Sequence, residues 1–102
     1  MRFARVIGRV TLNVAEPSYS GGRFLLGIPC RPTTPAPRRG QALPKGNSIV
    51  IFDRLGATEA DLIAYSDGGE AAAPFDDPTP CDAYNAAIID QVFWQSSAPQ
   101  EL

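Results

Sequence analysis

The 102-residue chain contains no histidine and only two cysteines. Histidine is the usual general base near neutral pH, the usual partner of a catalytic serine or cysteine, and a common zinc ligand. Its absence argues against ordinary hydrolytic and zinc-dependent chemistry. Cys30 and Cys81 are far apart in the chain, and neither has a second cysteine or a histidine near it. We therefore predict two small, half-buried side chains rather than a nucleophile or a disulfide.

Long apolar runs are missing as well. No stretch approaches the ~18 apolar residues that suggest a membrane-spanning helix, and residues 1–6 lack the apolar centre of a secretory signal. We expect a cytoplasmic protein without a membrane partner. Hydrophobic residues make up 44% of the chain and charged residues 20%, which favours a folded domain over a disordered chain.

The length of the chain is that of one small domain. Such a domain buries only roughly 60–65% of its unfolded surface, so oligomerisation is a favourable way to cover more apolar area. We assign residues 1–94 to a single β-barrel domain and residues 95–102 to a loose C-terminal tail. Residues 29–46 contain five prolines and are predicted to form a long surface loop, with a docking loop as the alternative.

The net charge of −2 is unevenly distributed along the chain. Residues 1–51 carry eight basic side chains and one acid, Glu16, whereas residues 52–102 carry ten acids and one base, Arg54. Such asymmetry can mark a basic arm for nucleic acid or membrane. It can equally let opposite patches meet within one fold or between identical subunits. The negative net charge favours the second interpretation.

The first strand shows the clearest pattern. Residues 3–14 alternate between a mixed face, with Phe3, Arg5, Ile7 and Arg9, and an apolar or small face, with Ala4, Val6, Gly8, Val10, Leu12 and Val14. This alternation predicts a half-buried antiparallel strand. A glycine inside such a strand indicates a bend or bulge at Gly8.

Four further strands are predicted at 23–28, 47–53, 61–66 and about 84–94, with one helical turn at 70–73 before Pro74. The third is almost continuously apolar, so we expect it to be buried on both faces or at an interface. Turn-rich segments separate the strands. The predicted fold class is all-β: a small, partly open, five-stranded OB-like β-barrel with one short helical turn.

Four segments, in order, resemble the EutN/CcmL family of bacterial microcompartment vertex proteins. They are the V-x-G-x-V-type opening at 1–11, Gly22-Arg23-Phe24-Leu25-Leu26 (family G-x-K-L-L), Phe52-Asp53-Arg54-Leu55-Gly56-Ala57 (family D-x-V-G-A-G) and residues 80–90 (family P-V-D-x-x-V-x-G-I-V-D). Four positions depart from the pattern, and Gly69-Glu70-Ala71-Ala72-Ala73 stands where the family often has Gly-Ser-x-Ala-Arg. Thr58 replaces the second glycine of Gly-Ala-Gly, Ala60-Asp61 replaces glycine-glutamate, and Ala87 replaces a common glycine.

The resemblance implies a non-enzymatic structural protein that binds no cofactor. Its partners would be other copies of itself, in a cyclic homopentamer, and the hexameric shell proteins that tile the rest of the shell. The pentamer would occupy the fivefold vertices of a microcompartment shell in the cytoplasm. A heterologous interface repeated by a fivefold rotation closes into such a ring.

Two sets of candidate site residues follow. Gly56, Ala57 and Thr58 form a turn that we place near the fivefold axis, because small residues let five backbones approach closely. An ordinary strand-connecting turn, with Gly56 at positive φ, is the alternative. The candidate subunit-interface residues are Arg5, Arg9, Asp82, Asp90 and Trp94, with Arg5 or Arg9 facing an acid such as Asp82 or Asp90.

Two other functions are less favoured by the sequence. An OB-fold module for single-stranded nucleic acid would need a basic groove lined with stacking aromatics, whereas aromatics are few and the chain is acidic. An enzyme with a cysteine nucleophile would lack a recognisable base. Asp76, Asp77 and Asp82 do not match a calcium-loop spacing. We therefore expect no metal site, no nucleic-acid partner and no enzymatic activity.

Overall fold

The computed structural model describes residues 1–32 and 48–93. The strands are β1 (Arg2–Val10), β2 (Arg23–Pro29), β3 (Ile49–Asp53), β4 (Leu62–Asp67) and β5 (Ala83–Ile88), with 3-10 turns at Pro17–Tyr19 and Gly68–Ala72. The helical turn predicted at 70–73 is thus a 3-10 turn. Most of the proline-rich loop, Trp94 and the tail at 95–102 lie outside the described residues, so the predictions about them stay predictions.

The five strands close into a barrel in the order β1-β2-β3-β5-β4. Neighbouring strands are antiparallel except β3 and β5, which run parallel with Phe52 aligned with Tyr84. The predicted five-stranded, OB-like barrel is therefore confirmed, and its ring is closed rather than partly open. Closure leaves no free sheet edge along the ring, which protects a small β-protein from edge-to-edge association.

Side chains from all five strands fill the inside of the barrel. The buried cluster comprises Ala4, Val6, Leu25, Ile51, Ala57, Ile63, Tyr65 and Ala83. All but Ala57 are strand residues, and they recur at every second position where a strand supplies two of them, as the strand period requires. Ala57 comes from the turn after β3 and closes one end of the barrel.

A second, aromatic cluster covers the outer face of β2, β3 and β5. Phe52 is fully buried because the rings of Tyr19, Phe24, Phe75 and Tyr84 surround it, with centroid distances of 5.2 to 6.4 Å. The Tyr19 hydroxyl donates a hydrogen bond to the Pro80 carbonyl. The burial predicted for both faces of the third strand is therefore confirmed from Ile51 to Asp53, although Val50 is 47% exposed.

A β-bulge in β1 changes which side chains face inward. Val6 pairs with Gly27, but Gly8 pairs with Leu26, so the register shifts by one residue and Arg9 aligns with buried Leu25. Directly opposed residues of an antiparallel pair lie on the same face, and a one-residue slip exchanges the two faces. The bulge predicted near Gly8 is confirmed. The single apolar face predicted through to residue 14 is wrong.

Two strands are also shorter than predicted. β1 ends at Val10, so that Leu12 and Val14 are 47% and 88% exposed, and β5 ends at Ile88, so that Phe93 is 86% exposed. In both cases the apolar alternation continues past the last ladder hydrogen bond. Alternation reports apolar side chains on one side of an extended chain, whereas a strand also needs a partner strand.

Candidate functional site

The turn after β3 is organised by the buried carboxylate of Asp53. Its Oδ1 accepts a hydrogen bond from the Leu55 N–H (3.0 Å), and its Oδ2 accepts those of Gly56 (3.1 Å) and Ala57 (3.0 Å). Aspartate favours such turns because its short side chain reaches the backbone a few residues ahead. Gly56 has φ +92°, a conformation that glycine adopts without steric cost.

Two side chains from other strands hold Asp53 in place. Asn85 of β5, which is fully buried, donates from Nδ2 to Asp53 Oδ1 (2.9 Å). Arg23 of β2 donates from Nε to Asp53 Oδ2 (3.3 Å) and from Nη2 to the Ala57 carbonyl (2.6 Å). The turn is thereby fixed to β2 and β5 across the end of the barrel. Neither partner was predicted from the sequence, although Asn85 is a polar residue at an inward strand position.

The hydrogen bonds decide the charge of Asp53. Burial alone raises the pKa of this carboxyl, but hydrogen bonds from Asn85, the Leu55 N–H, Arg23 and the Gly56 N–H outweigh it, and the pKa lies below its ordinary value. Asp53 is therefore ionised at neutral pH and forms a salt bridge with Arg23. Removal of either partner would leave a poorly compensated charge at the barrel end.

A second turn follows immediately. The Thr58 N–H donates to Asp61 Oδ2 (2.8 Å), the Asp61 N–H donates to the Thr58 carbonyl (3.0 Å), and the Ala60 N–H donates to the Val6 carbonyl (2.8 Å). Ala60 has φ +76°, a left-handed backbone in a residue with a Cβ. A positive φ at the third of four turn residues is the pattern of a type II turn, which prefers glycine there.

Replacing Ala60 by glycine is expected to raise the free energy of unfolding by about 0.5–1 kcal/mol, because relief of left-handed strain exceeds the added flexibility of the unfolded chain. The midpoint of urea denaturation measures the change. Ala73→Gly is the matched control. Ala73 has ordinary helical backbone (φ −62°) and is exposed, so its replacement should lower stability. An Ala60→Gly variant no more stable than wild type would contradict the strain argument.

The candidate axis residues lie on the surface of the first turn, except for one. Gly56 and Thr58 are exposed, whereas Ala57 is 1% exposed and packs in the core. A Cβ on Gly56 would meet nothing nearer than Arg23 Nη2 at 4.0 Å. Within one chain, the turn thus has room for a methyl group, and glycine is required here by φ. Crowding at this position remains a prediction for the assembled ring.

The candidate interface residues differ in what they already bind. Arg5 donates from Nη1 to the Ala60 carbonyl (3.0 Å). Arg9, Asp82 and Asp90 are exposed, and within residues 1–32 and 48–93 their side chains form no hydrogen bond or ion pair. Trp94 lies outside these ranges. Exposed, uncommitted charges of both signs are therefore present on one chain.

Two pockets flank the turn formed by residues 57–61. The barrel-mouth pocket, about 270 Å³, is lined by residues that include Val6, Arg9, Arg23, Leu25, Thr58 and Glu59. The second, about 340 Å³, is lined by residues that include Arg5, Ala60, Asp61, Ile89, Asp90 and Val92. The barrel-mouth pocket thus contains Arg9 of β1, and the pocket on the other flank of the turn contains Asp90, which follows β5.

Other kinds of site find little support in the structure. Burial raises the pKa of the Cys30 and Cys81 thiols, which makes both poor nucleophiles at neutral pH. Among the described residues, no three acidic or cysteine side chains are grouped closely enough to hold a metal ion. The aromatic rings on the outer face of β2 and β3 pack against one another, and Tyr19 and Phe24 also border a pocket of about 470 Å³.

Within residues 1–32 and 48–93, no helix is both long and apolar enough to cross a membrane.

Comparison with known proteins assigns the chain to a family. The family described as "Ethanolamine utilisation protein EutN/carboxysome" matches residues 1–90. CcmL from Gloeobacter violaceus is 32% identical, over 92% of this chain and 90% of that one, with a TM-score of 0.68. The search of curated protein sequences found no significant match.

Two further structures share the fold at lower identity. The pentameric microcompartment shell protein GrpN from Rhodospirillum rubrum is 24% identical, over 93% of this chain and 100% of that one, with a TM-score of 0.71. EutN from Escherichia coli is 23% identical, over 99% and 94%, also with a TM-score of 0.71. The resemblance of the four sequence segments is confirmed: the chain belongs to the EutN/CcmL family of bacterial microcompartment and carboxysome shell proteins.

Proposed function

We propose that this chain forms a cyclic homopentamer that occupies the vertices of a microcompartment shell, in contact with hexameric shell proteins. Proteins of this family are structural components rather than enzymes. The observation that carries the proposal is the near end-to-end likeness of the closed barrel to a pentameric shell protein, over 93% of this chain and the whole of the other.

A shell tiled by flat hexagonal units closes only where fivefold units replace sixfold ones. A small closed barrel suits that position because it is compact and presents two different lateral surfaces, which a heterologous ring contact requires. Exposed large apolar side chains among the described residues supply contact area for neighbouring copies: Met1, Leu12, Val14, Val50, Leu55, Ile88 and Phe93.

We place the turn at residues 56–58 next to the fivefold axis. Gly56 has no side chain and is exposed, so five copies of this backbone can approach one another. The hydrogen bonds from the backbone of the turn to Asp53, together with the bond from Arg23 to Ala57, fix its shape before assembly. A preset shape lowers the entropy lost when the ring forms.

Co-production with hexameric shell proteins tests the vertex position. With the chain present, electron microscopy should show closed polyhedral shells, with a fused label at their corners. Without it, the same hexamers should form open sheets, tubes or shells with missing corners. Shells that close equally well without the chain, or a label spread over the facets, would contradict the proposal.

A further inference from the structure

We infer that adjacent copies in the ring meet through the two flanks of the turn at residues 57–61, with Arg9 of one copy binding Asp90 of the next. The inference rests on the proposed pentamer with this turn next to the axis. It names the pair of side chains that closes the ring.

The geometry of a ring determines which surfaces of neighbouring turns face each other. An element close to a rotation axis has a copy of itself on either side, so one flank of the turn faces the opposite flank of its neighbour's turn. Here the flanks are the two pockets already described, one containing Arg9 and the other containing Asp90. Their opposite charges are complementary in this head-to-tail arrangement.

On the basic flank, Arg9 is the cation available to a neighbour. The bulge in β1 aligns Arg9 with Leu25, which places it at the barrel mouth above buried Val6. Arg23 lies in the same mouth but is already bound to Asp53 and Ala57. Glu59 also lines the mouth, and its charge limits how strongly an incoming carboxylate is held.

On the acidic flank, Asp90 is the acid available. Asp61 is committed to the Thr58 N–H, whereas the Asp90 side chain is exposed and has no hydrogen bond or ion pair in the described ranges. The Ile89 N–H donates to the Leu62 carbonyl (2.9 Å), which fixes the chain immediately before Asp90. Asp90 is therefore held in a defined position with its carboxylate free.

Asp82 can be compared with Asp90 as a possible partner of Arg9. It is also an exposed acid, but it lies next to Gly68 at the other end of β5, where its carbonyl accepts the Gly68 N–H (2.9 Å). Arg5 is likewise less suited to the contact, because it already donates to the Ala60 carbonyl. Four of the predicted interface residues lie in the described ranges. Of these, Arg9 and Asp90 are the basic and acidic residues best placed to bind each other across the contact.

Charge reversal tests the pairing on the full chain. Native mass spectrometry over a dilution series should show that Arg9→Glu and Asp90→Arg each raise the concentration for half-assembly by about tenfold or more, because like charges then meet at each contact. The double variant Arg9→Glu/Asp90→Arg should recover most of the wild-type assembly. Asp82→Arg is the control and should assemble as wild type does. Circular dichroism verifies that every variant is folded.

The outcomes separate this inference from the proposed function. A pentameric wild type whose single variants assemble normally would overturn the inference and leave the pentamer intact. Single variants that dissociate without recovery in the double variant would overturn the pairing of Arg9 with Asp90. A wild type that is not pentameric would overturn both.

Discussion

Replacing Asp53 by asparagine is expected to lower the free energy of unfolding by about 3 kcal/mol. Both carboxylate oxygens accept hydrogen bonds: Oδ1 from Leu55 and Asn85, and Oδ2 from Gly56, Ala57 and Arg23. An amide in either orientation turns a donor toward donors, and it also removes the counter-charge of the Arg23 guanidinium. Loss of a partly buried ion pair and several turn contacts together explains the large effect.

Urea denaturation followed by circular dichroism measures this change. Asp67→Asn is the matched control, because Asp67 is an aspartate whose salt bridge with Arg2 is long, 3.7 Å, and exposed. Such pairs contribute about 0–1 kcal/mol, so the control should remain close to wild type. An Asp53→Asn variant as stable as the control would show that the turn does not depend on the carboxylate.

The same residue gives a pH dependence. The pKa of Asp53 in the folded chain lies below its ordinary value of 3.8. Its ionised form therefore stabilises the fold above that value, and this contribution is lost as the pH falls through the lower, folded-state pKa. Wild type should lose stability more steeply than Asp53→Asn on acidification below about pH 4. Parallel stability curves for the two proteins would contradict this assignment.

Replacing Gly22 by alanine is expected to lower the free energy of unfolding by about 2–3 kcal/mol. A Cβ at this position would overlap the Cε1 and Cζ atoms of Phe52 and lie 3.1 Å from the Asp53 carbonyl oxygen. Phe52 is fully buried and packed against the rings of Phe24 and Tyr84. The ring therefore cannot move aside without disturbing the aromatic cluster.

Gly69→Ala is the control for Gly22→Ala, since a Cβ on Gly69 would have no atom within 4 Å and its φ is ordinary. Its stability should stay close to wild type. A double-mutant cycle with Phe52→Leu identifies the overlapping group: part of the loss from Gly22→Ala should disappear once the ring is gone. Strictly additive losses would mean that Phe52 is not the side chain that excludes a methyl group.

The barrel itself could be predicted from the sequence because each strand carries its own signal. Period-2 alternation indicated β1, and turn residues separated the other strands. Gly8 indicated a bulge, but it did not reveal where the extra residue is accommodated, which decides whether Arg9 faces outward or lies at the barrel mouth. That depends on the register with β2, and register is a property of two strands.

The candidate site, like the barrel, was predicted from the sequence only in part. Gly56 in its turn motif predicted a turn with positive φ, and the structure has φ +92° there. The partners of Asp53 could not be predicted, because Arg23 and Asn85 are 30 and 32 positions away from it. Only the closure of the barrel brings these three residues together. The left-handed backbone at Ala60 was not predicted either, although Ala60 stands where the family pattern has a glycine.

The native mass of the wild-type chain is the most direct test of the proposed ring. Five copies of a 10.9 kDa chain give a closed homopentamer of roughly 55 kDa, and we expect native mass spectrometry to show this species at micromolar concentration. A distribution of open oligomers would contradict fivefold closure. A monomer at all concentrations, or a closed ring of another size, would equally contradict it.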